Sequence, residues 1–576
     1  MSHSLDETTH DSRKRQHLAT DSAYNDDAGD GPIRPAVNPA YLNQHTLERL
    51  REALAGQPPS GQEAVAGVWQ DAESGARCLA TPFPVLQLPR FFSLPEEATS
   101  HAFASALQVE LAEEPLRHRS NDLFDFHQSW DAQALQGRRM HGLRDVMSSA
   151  PVLSIVETVL GVKGLMPGRV DMAAQRYDRG GYLLCHDDDI KEEVESGVAR
   201  RVAFVYYLVD EMWSAEDGGE YAMFDTVHGQ PGRIVHRVLP ERGALVMFRV
   251  GETSWHQVEE VRTRVAGRAR WSVTGWLYGP LDQSNASMSS ADRASPASGS
   301  MPVPTFAPLT AAAAEAVAAV ESPLAQWICD DYLSDEAVAR VDERFADEST
   351  VQLCGFLRAS ARDRLARAIL QLRTYAGDET SSAWCELGPA SLRRYQMLAD
   401  TCQIQDAATR EAAQTLREFD QFMRSVPLAI HLGRLTSLGL GASTRAYGEL
   451  RRITHGDYTL LRDDWKEPIG LDAVFHLLLK VPFDADTDVS PSAHHWPDAD
   501  AGEAEWHGAY HYVSAEDGDL LATLTPADNA LTLVYRDEGV SRFLKYSLQE
   551  SGQLERLDAL YTYQVDFGDG SDVDMA

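Results

Sequence analysis

Cysteine is scarce in this chain. Six residues (Cys78, Cys185, Cys329, Cys354, Cys385 and Cys402) are scattered over 576 positions with no CxxC pair. That excludes a disulfide-built scaffold and fits a reducing compartment. No run of eighteen apolar residues occurs, so no membrane span is expected. The opening "MSHSLDETTHDSRKRQHL" has no apolar core, so no secretory leader is expected either. Basic side chains are also short in number: 52 Lys and Arg stand against 87 Asp and Glu, a formal net charge of -35. Such a surface repels phosphates, which argues against direct nucleic-acid or membrane binding and favours a basic protein partner. A cytoplasmic location, a nuclear one, or both, is the expectation; the triplet Arg13-Lys14-Arg15 is a candidate import signal. Nothing in the composition fixes an oligomeric state.

What is present begins with length, which is too great for one hydrophobic core. Residues 1–40 are polar, lack apolar periodicity and read as a disordered tail. A Ser/Ala/Pro-rich linker is expected over 281–320, around "LDQSNASMSSADRASPASGSMPVP". The bodies either side, 41–280 and 321–576, look alike. "LQLPRFFSLPEEATSHAFASAL" (86–107) parallels "LAQWICDDYLSDEAVARVDERF" (324–345), each read as a short strand, a Ser and a helix. "GGYLLCHDDD" (180–189) parallels "GDYTLLRDDW" (456–465). This self-similarity points to a duplicated domain. In the first body helical patterns come early. After residue 170 they give way to short β-like runs: "YLLCHDD", "RRVAFVYYLV", "GEYAMFD", "RIVHRVLP", "ALVMFRV", "SWHQVEEV" and "RARWSVTGWLYG". Turn signals at that spacing predict a sandwich or barrel.

One constellation carries chemistry. His186 and Asp188 are two apart at a strand end, which aims both at one face. His256 follows seventy residues later in "SWHQVEEV". Two histidines and one carboxylate on a β-scaffold match the facial triad of non-heme Fe(II) oxygenases, which leaves coordination positions for a 2-oxoacid and dioxygen. The far carboxylate of such an acid calls for a planar, bidentate cation. Arg270 and Ser272 share a face of the last strand and suit that task. Tyr207, on the face of Ala203 and Val205, can add a phenol. Histidine ligands must be neutral, so acid should suppress activity.

These stretches, with "NDLFDFHQS" (121–129), "HGDYTLLRDD" (455–464) and "ALTLVYRD" (530–537), carry a family resemblance. The first body resembles the 2-oxoglutarate- and Fe(II)-dependent prolyl hydroxylases. Over about 80–565 the chain is similar to the eukaryotic two-domain ribosomal prolyl 3-/3,4-hydroxylases, which modify a proline of a small-subunit ribosomal protein. The resemblance implies an α+β fold of two tandem double-stranded β-helix (jelly-roll) domains with flanking helices. It implies His186, Asp188 and His256 as iron ligands, and Arg270, Tyr207, Ser272 and Tyr177 around 2-oxoglutarate. It also implies L-ascorbate as a supporting cofactor, succinate and CO2 as coproducts, and a basic ribosomal protein as substrate. The turn "EEVRTRVAGRAR" is longer than the family leads one to expect, which makes Arg268 a rival to Arg270.

The second copy is damaged. Its alignment puts Arg462 where His186 stands and Asp464 where Asp188 stands, and arginine cannot ligate iron. No histidine falls near the slot of His256, so the C-terminal body is expected to lack metal. His455 with Asp457, the group His494, His495, His507 and His511, and the terminal "DFG" (566–568) are read as non-functional. Two other functions stay open: a zinc hydrolase on the same ligands, and a non-catalytic, oxygen-responsive binding protein.

Overall fold

A computed structural model describes residues 31–58, 64, 67–93, 101–189, 197–281, 305–310, 323–374, 384–398, 406–462, 467–480, 508–549 and 554–565. The chain divides into two compact units, Met1–Gly299 and Ser300–Ala576. Both are mixtures of helices and antiparallel sheet. Among the described residues no helix is long and apolar enough to cross a membrane.

In the first unit, all seven β-like runs form strands. The eight strands that matter are β1 Val170–Tyr177, β2 Tyr182–His186, β3 Val198–Tyr207, β4 Tyr221–Val227, β5 Gln230–Val238, β6 Leu245–Arg249, β7 His256–Val258 and β8 Arg270–Pro280. They pair in two interleaved series, β1-β8-β3-β6 and β2-β7-β4-β5, joined by the strand Phe124–Gln128 between β2 and β1. This alternation is the pairing order of a jelly roll.

Period-2 alternation sorts the side chains. Phe204 and Tyr206 of β3 point outward, into a core shared with Leu50, Phe103, Leu107, Leu143 and Val156 of the covering helices. Val205 and Tyr207 point inward, to a second core with Tyr177, Tyr221, Phe248 and Val258 from both strand series. The helices follow the sequence signals. Pro151 and Gly161 bound the helix Ala150–Leu160, the glycine at φ 66° in the left-handed conformation that ends helices.

In the second unit the strands from residue 445 onward are β9 Arg445–Ile453, β10 Tyr458–Thr459, β11 Gly470–Lys480, β12 Tyr510–Ser514, β13 Leu520–Leu524, β14 Ala530–Arg536, β15 Val540–Leu544 and β16 Leu554–Tyr563. The order β9-β16-β11-β14 runs through the larger sheet, and β13-β12-β15 forms a smaller one. Leu544 N donates to Thr459 Oγ1 at 2.7 Å, tying β15 to β10.

Three boundaries differ from expectation. The tail was expected to reach residue 40, yet Ala36–Val37 pairs with Phe92–Ser93 and Tyr41 is fully buried; residues 1–30 lie outside the described residues. Within the expected linker, Ala307 and Pro308 pair with Ala446 and Arg445, and the rest of that stretch falls mostly outside the described residues. Two-residue pairings leave no periodicity to read. The segment Pro323–Trp327 is helix rather than strand. Proline at the first helical position and the absence of β-branched residues explain it.

Candidate metal centre

His186 ends β2 and His256 begins β7, and the ladder sets them directly opposite each other. Their ring centroids lie 4.2 Å apart. Each Nδ1 is held by a backbone carbonyl two residues earlier: Leu184 O at 2.7 Å for His186, and Ser254 O at 2.8 Å for His256. A carbonyl only accepts, so each Nδ1 carries the proton and each Nε2 presents its lone pair.

Asp188 reaches the same point by a different route from the one expected. It lies beyond the end of β2 with φ 53°, so a left-handed turn, not strand pleating, swings its carboxylate back. Aspartate tolerates that backbone better than most residues. Its two oxygens stand 3.7 Å from His186 Nε2 and 3.5 Å from His256 Nε2. One ligand atom from each of the three residues lies within 4.8 Å of the others. Donors at about 2.1 Å from one cation have such separations.

His256 is the most enclosed ligand. Its ring stacks on Tyr221 at 5.1 Å and meets Phe248 edge-on at 4.7 Å. Burial first, and then the neighbouring His186, push its imidazole down to about 4. It is therefore neutral, as a ligand must be, across the physiological range.

Arg270, only 1 % exposed, opens β8 opposite Tyr177, the last residue of β1. Its Nε donates to Gly219 O at 2.7 Å and its Nη2 to the Tyr207 hydroxyl at 3.4 Å. The guanidinium lies 5.1 Å from the Tyr177 ring centre and 5.0 Å from that of Tyr207. No carboxylate among the described residues pairs with it. Ser272, fully buried and opposite both Tyr207 and Gln175, has an Oγ with no partner among the described residues. The Tyr177 hydroxyl instead donates to Gln175 Oε1 at 3.1 Å. Arg268 faces elsewhere and pairs with Asp217 at 3.2 Å and Asp210 at 3.3 Å. Of the two rival arginines, only Arg270 is buried without an acid.

The donor set fits the implied groups. Two neutral imidazoles and a carboxylate suit a divalent iron, and a buried guanidinium with an orphaned hydroxyl suits an anionic organic ligand. The sequence reading missed Tyr221 and Gly219. The alternation of "GEYAMF", with Met223 opposite His256, was the available signal for Tyr221.

Fold and site together define a 2-oxoglutarate- and Fe(II)-dependent oxygenase. Comparison with known proteins agrees. The family model described as "2OG-Fe(II) oxygenase superfamily" matches residues 172–278, and one described as "Oxoglutarate and iron-dependent oxygenase degradation C-term" matches 320–571. "Prolyl 3-hydroxylase OGFOD1" of Xenopus laevis is 29% identical over 486 residues, covering 78% of this chain and 81% of its own length. "Prolyl 3-hydroxylase sudestada1" of Drosophila melanogaster is 27% identical over 521 residues, covering 88% and 87%. Among solved structures, a Pseudomonas putida prolyl-4-hydroxylase aligns over 34% of this chain and 93% of its own, with 25% identity and a TM-score of 0.27. The chain belongs to the 2-oxoglutarate- and Fe(II)-dependent prolyl hydroxylase family, and it is an enzyme of that class.

Proposed function

We propose that this enzyme hydroxylates a proline of a basic protein of the small ribosomal subunit. In this reading His186, Asp188 and His256 ligate the iron. Arg270, Tyr207 and Ser272 hold the far carboxylate of 2-oxoglutarate, and Tyr177 lines the pocket beside the guanidinium. The observation that carries it is Arg270: a buried guanidinium without a protein carboxylate is costly, and a dicarboxylic cosubstrate supplies the missing charge. A zinc hydrolase would have no use for that cation. The ribosomal substrate is supported by the family resemblance and by the net charge of -35, which favours a basic partner.

Bound iron supplies the coupling of 2-oxoglutarate decarboxylation to hydroxylation of a proline ring C–H. The chain's own residues position and enclose. The two backbone carbonyls keep Nδ1 protonated and aim both Nε2 atoms inward. Tyr221 and Phe248 shield the His256 face from water. Arg270, itself fixed by Gly219 O, sets the depth at which the cosubstrate sits.

The second unit is read as a second double-stranded β-helix without metal, serving docking or stability. L-ascorbate as a supporting reductant and a cytoplasmic or nuclear location complete the proposal. The test is mass spectrometry of small-subunit ribosomal proteins after incubation with enzyme, iron, 2-oxoglutarate and ascorbate. A gain of one oxygen on a proline, lost in Arg270→Ala, is the expected result. Succinate formation with every ribosomal proline unmodified would overturn the substrate.

A further inference from the structure

The Tyr221 hydroxyl is a buried polar atom that the roles above leave unexplained. It has no hydrogen-bond partner among the described residues. Its ring is fixed against His256. A phenol hydroxyl carries a proton that it can donate to a carboxylate.

The second unit contains the same pocket with a carboxylate in it. Three independent features fix the correspondence. In the first unit β8 pairs with the end of β1 at Arg270–Tyr177; in the second, β16 pairs with the end of β9 at Arg556–Ile453. Two residues on, Ser272 faces Tyr207, while Asp558 faces His476. Arg270 Nε donates to Gly219 O at 2.7 Å, and Arg556 Nη1 to Gly508 O at 2.6 Å, each glycine two residues before a tyrosine that starts a strand. Thus Arg556, Asp558, His476 and Tyr510 stand where Arg270, Ser272, Tyr207 and Tyr221 stand.

In that second pocket the Asp558 carboxylate is gripped from three sides. Arg556 donates through Nε at 2.8 Å and Nη2 at 2.7 Å. His476 Nδ1 lies 2.8 Å from Oδ1, and the Tyr510 hydroxyl donates to Oδ2 at 3.1 Å. The first pocket offers the corresponding donors, and among the described residues no carboxylate pairs with its arginine.

We propose that the Tyr221 hydroxyl is a further binding group for the far carboxylate of the 2-oxoacid, and that Asp558 is a built-in stand-in for that carboxylate. The inference rests on the 2-oxoglutarate reading of the first unit. Phenol, guanidinium and the Tyr207 hydroxyl then surround one carboxylate, as their counterparts surround Asp558. Tyr221 would tie cosubstrate binding to the metal centre, because the same ring packs on His256.

Calorimetric titration of the full-length protein loaded with Mn(II), which substitutes for iron without turnover, tests this. Tyr221→Phe keeps the ring and removes the donor. It should bind 2-oxoglutarate about tenfold more weakly, the effect of one hydrogen bond to a charged group. Its binding of 2-oxopentanoate, which lacks the far carboxylate, should stay within about twofold of wild type. Tyr221→His, which retains an aromatic N–H donor, should lie between Phe and Tyr. Equal weakening toward both acids would overturn the proposal, since the hydroxyl would then not act on the carboxylate. So would 2-oxoglutarate affinity unchanged in Tyr221→Phe while Arg270→Ala weakens it strongly; the cosubstrate reading would survive that result. If Arg270→Ala also left the affinity intact, that reading would fall, and this inference with it.

Discussion

The two units bury the same arginine and treat it in opposite ways. Arg270 and Arg556 occupy matching ladder positions, each donating to a glycine carbonyl. Arg556 has an acid two residues away on its own strand, Asp558; Arg270 has Ser272 there. The metal side differs in parallel. Met223 faces His256 in the first unit, and at the matching pair Tyr512 faces Arg542 in the second. Arg542 pairs with Asp472, which Arg536 and the Thr562 hydroxyl also hold, at 3.0 Å and 2.6 Å. The second pocket has therefore not been emptied of charge. Arg556 has an internal acid in Asp558, and Arg542 stands at the ladder position that matches His256. On the reading proposed above, the first pocket leaves Arg270 without an acid for a cosubstrate to supply, whereas the second holds Arg556 on Asp558.

The largest consequence concerns that compensation. Asp558→Ala should leave Arg556 and His476 buried without their acid, and destabilise the second unit by about 3–5 kcal/mol, as when one partner of a buried ion pair is removed. Urea unfolding of the full chain measures this; a loss below about 1 kcal/mol would show that Asp558 is not what stabilises Arg556. The converse graft comes next. Ser272→Asp should give Arg270 an internal acid and reduce 2-oxoglutarate affinity by about a hundredfold, a change of about 2.7 kcal/mol. Metal content should not change, because the three ligands are untouched. Retained cosubstrate affinity in Ser272→Asp would break the correspondence between the two pockets.

Much of the first pocket was legible in the sequence because the chemistry sits at strand ends. His186, His256, Arg270, Tyr207 and Tyr177 each begin or end a strand, and apolar alternation marks those ends. Asp188 was found for an incomplete reason, since its approach depends on a left-handed turn that spacing alone does not reveal. Tyr221 was hidden because a tyrosine in an aromatic-rich strand is most often core, and only an orphaned hydroxyl distinguishes it. In the second unit, sequence alignment sets Arg462 against His186. The roles of Arg542, Arg556 and Asp558 were not legible, because they depend on cross-strand register, which pairs residues far apart in the chain.

Acid provides a smaller and graded test. The guanidinium groups of Arg536 and Arg542 overcome the cost of burial at Asp472 and hold its carboxyl at about 2, below its ordinary 3.8. A depressed folded-state value means that the contribution is complete above pH 4 and is lost as pH falls toward 2. The expected loss over that window is about 2 kcal/mol, on 1.36 kcal/mol per unit. Asp457, which burial pushes up to about 7, acts in the opposite sense: its stabilising contribution is present in acid and lost as pH rises between about 4 and 7. Its contribution stops varying only below about pH 3, and Asp71, Asp217 and Glu449 are also held below their ordinary values, so the comparison with a variant is what singles out Asp472. Denaturant midpoints at pH 4 and pH 2 measure the difference. An Asp472→Asn chain should show a shallower limb, and an unchanged one would remove Asp472 from the account.

The smallest expected effect is none at all, and it probes how thoroughly the second pocket has departed from metal chemistry. Arg462→His returns an imidazole to the position that sequence alignment gives to His186. It leaves Arg542 in the slot of His256, with Arg536 close by on the same acid. A cation entering there would meet two permanent positive charges and two carboxylates, Asp472 and Glu467, each already engaged by both arginines. Iron stoichiometry should therefore remain one per chain, read by elemental analysis after gel filtration. A second tightly bound iron in Arg462→His would mean that the arginines can be displaced, and that the difference between the two pockets lies in a single ligand rather than in their whole charge arrangement.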